Sequence, residues 1–294
     1  MNKQLNVLSV DMESWVHKYF LEEISYKKKL KDNNYIVEAT FDILNILKKY
    51  NVNTTFFITG EIYEWYPWLI DKIKDMGHEI GFHTYTHRIL KNKKILLEEL
   101  KMGKKFIDEF KITGFRAPEM FMKREYCNLL KDWGFKYDSS IYSEFKIFEP
   151  IDSFLELPIS TYPLYRTKNP IGFPRIITPS LIMKEIPFGS GYFIGFLGEN
   201  VQWFIKRVNY RKKPAIFFIH PWQIREFPRD NSGQEDDIVK RIKMIPYNIN
   251  RRDALEKILS RFPFSTMTRV INNFGYDTEQ SILSKRGEIT CEKS

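Results

Sequence analysis

The sequence predicts an α/β fold, a parallel sheet or barrel with helices packed around it. Two observations predict it. Short apolar runs of strand length alternate with amphipathic stretches of helix length through the first half of the chain, and several of these runs end in side chains that can do chemistry.

In chain order, Leu5 to Val10 is an apolar run ending at Asp11 and reads as a buried strand. From Tyr35 to Tyr50, Ile36, Phe41, Leu44 and Leu47 recur at helical spacing until Asn51 to Asn53 breaks the pattern. Thr54 to Ile58 has the β-branched and aromatic content of a second strand. Pro67 to Met76 reads as a helix closed by Gly77 in a left-handed turn, and His78 to Phe82 as a third strand leading into His83. Lys93 to Phe110 reads as helix, Thr113 to Arg116 as a brief strand, Arg124 to Trp133 as a helix stopped by Gly134, and Phe135 to Ser139 as another strand. Between about 142 and 196 the alternation gives way to a Pro- and Gly-rich stretch with short strand-like pieces, an elaboration beside the site. Ala215 to Ile219 resumes as a strand ending at His220, Arg229 to Asp237 is a charged loop, Asp253 to Arg261 a helix and Phe264 to Met267 a last strand. The expected organisation is one domain over 1–275 with that irregular insertion, followed by a polar tail at 276–294.

Hydrophobic residues make up 43% of the 294, with 24 Phe, 16 Tyr and 6 Trp, enough for a sizeable core and against extensive disorder. The 46 basic and 37 acidic residues leave a net charge of +9. The excess sits in separated runs, Lys27-Lys28-Lys29, Lys93-Lys94, Lys104-Lys105 and Arg211-Lys212-Lys213, which read as solvated surface. No nucleic-acid motif accompanies them, so a nucleic-acid partner is not expected, while the charge leaves room for peripheral contact with an anionic membrane. Cys127, in an amphipathic stretch, and Cys291, in the tail, do not make a disulfide framework. No stretch is long and apolar enough to span a bilayer. Met1-Asn2-Lys3-Gln4 leads into a strand without an apolar leader, so the expected location is cytoplasmic, at most peripheral to the inner face of the membrane.

The stretch His83-Thr84-Tyr85-Thr86-His87 holds two of the five histidines four residues apart, at the end of a predicted strand. One helical turn or a tight loop there can aim both imidazoles at one point, and neutral imidazole is the commonest protein ligand for zinc and similar metals. Such a site needs a further ligand, usually a carboxylate, and an open position. Asp11-Met12-Glu13 supplies candidates: alternation along an extended chain puts Asp11 and Glu13 on one side and Met12 on the other. In a parallel α/β fold catalytic groups gather at the C-terminal strand ends, where Asp11, His83, His87, Arg116 and Asp138 all fall. His17 and His78 fit no motif and read as structural, and Ser139 and Ser140 lack a histidine partner for nucleophilic catalysis.

Five segments in order, Ser9-Val10-Asp11-Met12-Glu13, His83 to His87, Gly114-Phe115-Arg116-Ala117-Pro118, Tyr137-Asp138-Ser139-Ser140 and Ile219-His220-Pro221-Trp222, resemble the motifs of the polysaccharide deacetylase family. This is the group with the NodB homology domain, also called carbohydrate esterase family 4. Leu157-Pro158-Ile159-Ser160 and Gly189-Ser190-Gly191-Tyr192-Phe193 extend the resemblance to the subgroup associated with exopolysaccharide biosynthesis, over roughly residues 5 to 270. The resemblance implies a distorted, incomplete (β/α) barrel of the NodB type and a metal-dependent hydrolase that removes N-acetyl groups from a carbohydrate, by cleavage of a linear amide C–N bond. It makes Asp11 the general base, His83 and His87 metal ligands, Arg116 the holder of the base, His220 the general acid, and Asp138 the residue that orients or tunes His220. It places an oxyanion-stabilising backbone N–H at Glu119. Met12 stands where the family has its metal-binding second aspartate. A thioether is a poor ligand beside oxygen and nitrogen donors, so Glu13 becomes the substitute third ligand. The implied cofactor is a divalent metal, zinc first and other divalent metals next, and the implied partner an N-acetylated sugar in a surface polysaccharide or its nucleotide- or lipid-linked precursor. Tyr192 and Trp222 are candidates to stack on a sugar ring or to fill the core. Two other readings stay open: hydrolysis of a small non-sugar amide, and a glycan-binding barrel that has lost its metal.

Overall fold

The computed structural model describes residues 4–165, 172–226 and 251–276. The charged loop expected at Arg229 to Asp237 and the tail beyond Tyr276, with Cys291, lie outside the described residues.

The strands, in chain order, are β1 (Asn6–Met12), β2 (Thr55–Ile58), β3 (Glu79–Phe82), β4 (Gly114–Phe115), β5 (Tyr137–Asp138), β6 (Tyr142–Ser143), β7 (Phe148–Ile151), β8 (Phe154–Glu156), β9 (Ile159–Ser160), β10 (Tyr162–Pro163), β11 (Glu185–Ile186), β12 (Ile216–Ile219) and β13 (Phe264–Ser265). Among the described residues, the main sheet runs β12-β1-β2-β3-β4-β5-β8-β7. All of its pairings are parallel except β7 with β8. Its two ends, β12 and β7, do not pair, so the barrel is open. Strand β13 adds to the edge of β1 at Asn6 and Val7, where β2 begins only opposite Ser9. That edge would otherwise leave backbone donors and acceptors unpaired.

Alternation along β1 sorts its side chains between two cores. Leu8, Val10 and Met12 belong to the large outer cluster shared with the helices, while Val7 joins an inner cluster with Phe57, Tyr137 and Phe218. Ser9 and Asp11 therefore project to the barrel interior, as the sequence pattern requires. The strand is longer than expected, and Asp11 and Met12 are part of it.

The helices are α1 (Trp15–Tyr19), α2 (Ser25–Asp32), α3 (Tyr35–Lys49), α4 (Gly60–Trp65), α5 (Pro67–Asp75), α6 (Lys93–Phe110), α7 (Cys127–Asp132), α8 (Pro179–Ile182), α9 (Gly191–Leu197) and α10 (Val201–Tyr210), followed by Arg252–Arg261 and Met267–Asn273. Helix α3 buries Ile36, Ile43, Leu44 and Leu47 against the sheet, each contributing about 1.5–3 kcal/mol. After α5 the chain turns at Gly77, whose φ of +82° strains any other residue. Phe264 to Met267 is only briefly extended. Met267 instead opens a helix capped by Thr266, whose side chain accepts from the Arg269 N–H. The stretch from 142 to 196 contains six short strands and also the helices α8 and α9. No described helix is long and apolar enough to cross a membrane.

The run Lys27-Lys28-Lys29 is not wholly solvated, which corrects the sequence reading. Lys28 is 1% exposed and its Nζ lies 2.5 Å from Glu61 Oε2. Helix α2 folds back over α4, and a buried ammonium is tolerated there because a buried carboxylate meets it.

Candidate active site

The two carboxylates at the tip of β1 enter the site by different routes. Asp11 is still in the strand and points into the barrel. After it the chain turns sharply, the Glu13 N–H donating to the Asp11 carbonyl at 3.0 Å. Ser14 then starts α1, its hydroxyl accepting from the Val16 N–H and its N–H donating to His17 Nδ1 at 3.0 Å. This turn carries the Glu13 carboxylate across to the histidines.

His83 follows directly on β3, and its Nδ1 lies 2.8 Å from the Arg116 carbonyl. A carbonyl only accepts, so Nδ1 carries the proton and Nε2 is left with its lone pair. Burial pushes the His83 pKa down to about 4, which keeps the ring neutral and ready to ligate at neutral pH. The segment from Thr84 to His87 is a tight loop rather than a helical turn: Thr84 and His87 both take left-handed conformations, with φ of +63° and +68°. Such non-glycine residues cost about 1–3 kcal/mol each unless the surroundings impose them. Here Glu99, fully buried on α6, imposes them. Its carboxylate accepts from the N–H groups of Tyr85 (2.8 Å) and Thr86 (2.7 Å), the Thr86 hydroxyl (2.7 Å) and Arg88 Nε (2.7 Å). The Thr84 hydroxyl accepts from the His87 N–H at 3.2 Å.

The outcome is a cluster in which Glu13, His83 and His87 offer ligand atoms all within 4.8 Å of one another. Glu13 Oε2 and His87 Nε2 lie 2.8 Å apart as a buried ion pair, and neither has another partner among the described residues. Buried ligand atoms that converge with no further partner are what a cation would satisfy, and one carboxylate with two imidazoles is a donor set suited to zinc. Burial disfavours charge at both residues, but their proximity prevails. The Glu13 pKa falls well below the usual carboxylate range under the pull of His87 and His220, and the His87 pKa rises under that of Glu13. Met12 is packed in the outer core and takes no part.

Arg116, fully buried after β4, holds Asp11. Its Nη1 donates to Asp11 Oδ1 at 2.5 Å and to the Ser9 hydroxyl at 2.8 Å, and its Nε and Nη2 donate to the Ser139 carbonyl (2.8 Å) and hydroxyl (2.9 Å). The guanidinium lies over the Phe57 ring at 4.1 Å, directly above the inner apolar cluster. A planar, forked cation fixed at every nitrogen is a rigid mount that lysine would not reproduce. Next to it, the chain from Pro118 to Met120 makes a turn in which Glu119 and Met120 are left-handed, with φ of +52° and +58°. The Glu119 backbone N–H meets no acceptor among the described residues.

His220 follows β12, the strand next to β1, so its Nε2 comes within 3.2 Å of Glu13 Oε1. Its ring is stacked on Trp222 with centroids 4.5 Å apart and planes 12° apart. Of the two readings of Trp222, its burial favours core filling: it is 4% exposed and one of its faces is covered by His220. Tyr192 is partly exposed on α9, against Phe193 and Phe196.

Among the described residues no hydrogen bond or ion pair joins Asp138 to His220. Asp138 stands opposite Glu156 in the β5–β8 register, so both carboxyls leave the sheet on the same side. The Ser140 hydroxyl donates to Asp138, and the Ser140 N–H to Glu156. Burial raises both pKa values, that of Glu156 the more because the Asp138 charge adds to it. Two buried carboxyls facing each other across the β5–β8 pair disfavour each other's charge.

His17 and His78 are structural, as expected. His17 stacks on Trp65 at 5.3 Å, and its Nε2 lies 3.2 Å from Glu61. It also stands edge-on to His87, with centroids 6.4 Å apart. His78 Nδ1 accepts from the Thr54 N–H at 3.2 Å. Sequence reasoning missed Glu99, Glu156 and the Lys28–Glu61–His17 group. Only Glu61, placed at the start of a helix after a strand, carried any local signal.

An open parallel barrel with a carboxylate, two histidines and an arginine-held aspartate at its strand tips is a NodB-type barrel. In sequence the chain is similar to the polysaccharide deacetylase family. Residues 31–137 match the family described as polysaccharide deacetylase, and residues 134–272 match a domain of unknown function (DUF3473). A peptidoglycan-N-acetylglucosamine deacetylase of Bacillus cereus is 34% identical over 96 residues, 29% of this chain and 35% of that protein. The peptidoglycan-N-acetylmuramic acid deacetylase PdaA of Bacillus subtilis is 36% identical over 83 residues, 28% of this chain and 32% of its own length. The matched segments thus span about a third of these relatives. A crystal structure from Mycobacterium smegmatis, described as a polysaccharide deacetylase, shares the fold with a TM-score of 0.58 at 18% identity, covering 91% of this chain and 90% of that one.

Proposed function

We propose that this protein is a metal-dependent carbohydrate N-deacetylase. The observation that carries the reading is the convergence of Glu13, His83 and His87 beside the Arg116-held Asp11 and His220. Deacetylase names among its relatives support it. Glu13, His83 and His87 would hold the cation, zinc first, which when bound supplies Lewis acidity and lowers the pKa of water toward about 7.

The chain's own groups account for the remaining chemistry. Arg116 occupies Oδ1 of Asp11, so Oδ2 is the oxygen available to take a proton from the attacking water. The Glu119 N–H, in a left-handed turn beside Arg116 and with no backbone acceptor among the described residues, would donate to the developing oxyanion of the acetamide. His220 is the proton donor for the departing amine, its ring fixed by the Trp222 stack. Tyr192 is the aromatic left to meet a sugar ring. The substrate class we favour is an N-acetylated sugar of a surface polysaccharide or its precursor, handled in the cytoplasm and in keeping with the exopolysaccharide-associated motifs.

The test joins metal analysis to acetate release. Purified protein should carry stoichiometric zinc or another divalent metal and should release acetate from N-acetylglucosamine oligomers or a sugar nucleotide. Glu13→Ala should lose the metal, whereas Asp11→Asn should keep it and lose turnover. Native protein that takes up no metal would sink the proposal, and full occupancy in Glu13→Ala would remove Glu13 from the ligand set.

A further inference from the structure

Helix α10 presents to solvent a stripe that its own fold does not use. Trp203, Lys206, Arg207, Tyr210 and the following Arg211 are spaced by three, four, seven and eight positions from the first, so they share one helix face. All five are exposed, while Phe204, Ile205 and Val208 on the other side are buried. Trp203 is 54% and Tyr210 85% exposed.

A second strip lies beside it. The Leu164 N–H donates to the Lys184 carbonyl at 2.8 Å, joining the chain after β10 to the chain before β11. Tyr165 and Met183, at 68% and 74% exposed, stand there with Leu164 and Ile182. Tyr162 of β10 ties the two strips into one face, its ring 5.3 Å from Trp203 and 5.9 Å from the Arg211 guanidinium.

The charge on this face is positive in excess. Arg211 and Lys213 share Glu144, but Lys184, Lys206, Arg207 and Lys212 meet no carboxylate among the described residues. Large apolar groups standing this far into water, interleaved with unpaired cations, fit a layer that is anionic at its surface and apolar beneath. Tryptophan and tyrosine settle at the headgroup level, and lysine and arginine meet lipid phosphate. A second copy of the chain would set like charge against like charge. A polyanion such as nucleic acid would use the cations and leave Met183, Leu164 and Ile182 in water.

We infer that this face is a peripheral membrane-docking surface for anionic lipid, independent of the hydrolytic site. The experiment is flotation of the full chain with phosphatidylcholine vesicles, with and without phosphatidylglycerol. The protein should float only with the anionic vesicles, and added salt should release most of it. Lys206→Gln with Arg207→Gln should weaken partitioning by roughly thirtyfold, since each cation near an anionic surface contributes about 1 kcal/mol. Met183→Ser with Tyr210→Ser, exposed positions whose loss leaves the core intact, should abolish the fraction retained at high salt. Equal flotation with neutral vesicles, no flotation with anionic ones, or wild-type partitioning in both variants would overturn the inference. So would binding to duplex DNA that the Lys206→Gln/Arg207→Gln pair abolishes while vesicle binding is absent.

Discussion

Removing the Glu99 carboxylate is the sharpest test of how the histidine loop is held. In Glu99→Ala, four donors lose their acceptor: two backbone N–H groups, a hydroxyl and the Arg88 guanidinium. A hydrogen bond to a charged group contributes about 1.5–3 kcal/mol, but Arg88 is about a third exposed and recovers water. The half-buried amides of Tyr85 and Thr86 recover it only partly. The left-handed conformations at Thr84 and His87 also lose their support. The expected loss of folding stability is about 3–5 kcal/mol, in the range for deleting one partner of a buried charged network. The geometric consequence reaches the cluster, because His87 is the last residue of the loop. Metal affinity should fall by about 10–100-fold, as for other residues that orient a ligand without touching the ion. Glu99→Gln, which keeps one acceptor oxygen, should lie between. The assays are urea unfolding and zinc competition against a chromophoric chelator. If Glu99→Ala binds zinc as wild type does while losing several kcal/mol of stability, the carboxylate braces the fold and does not place His87, and the reasoning fails.

Two further outcomes are expected. Burial holds the His78 pKa at about 4, below the ordinary histidine value, so the folded protein resists protonating it while the unfolded chain does not. The stability this gives is present above about pH 6.5 and is lost as pH falls toward 4, by at most about 3 kcal/mol. Urea midpoints of metal-free protein across that window should decline, and His78→Gln should flatten part of the decline; an unchanged slope would remove His78 as its source. Trp222→Leu, which removes the stack on His220, should lower kcat by about tenfold or more with KM little changed, since a misplaced acid weakens the transition state alone. A rise in KM without loss of kcat would return Trp222 to a substrate-binding role.

Much of this was legible in the residues because local and tertiary demands agreed. Lys93–Phe110 has a helical stripe, a capping asparagine and a core to face, and it forms where the pattern places it. Asp11 faces the barrel interior because a strand has a period of two, and the loop of His83 and His87 follows a strand that ends on the same sheet edge. Glu13 lies past the strand and reaches the site through a turn that alternation does not announce. What was not legible depends on register and on long-range return. Asp138 meets Glu156 because β8 pairs with β5, and nothing near Tyr137-Asp138-Ser139 announces which strand will lie opposite. Lys28 reads as surface within its basic run, and only the placement of Glu61 on a helix more than thirty residues onward buries it. Phe264 to Met267 has strand composition, but Thr266 caps a helix and local capping wins over propensity.

The open barrel also sets the order in which this site can be completed during synthesis. Glu13 follows β1 and both His83 and His87 follow β3, so all three come with the first three strands, which are adjacent in the sheet and emerge in succession. A nascent chain therefore carries the whole proposed ligand set long before the proposed proton donor. His220 arrives only with β12, and the remaining edge of β1 is covered only when β13 returns from the far end of the described chain. The proposed ligand set and the proposed proton donor are thus completed at separate stages of synthesis. The second waits on contacts of the greatest sequence separation, the slowest kind to form.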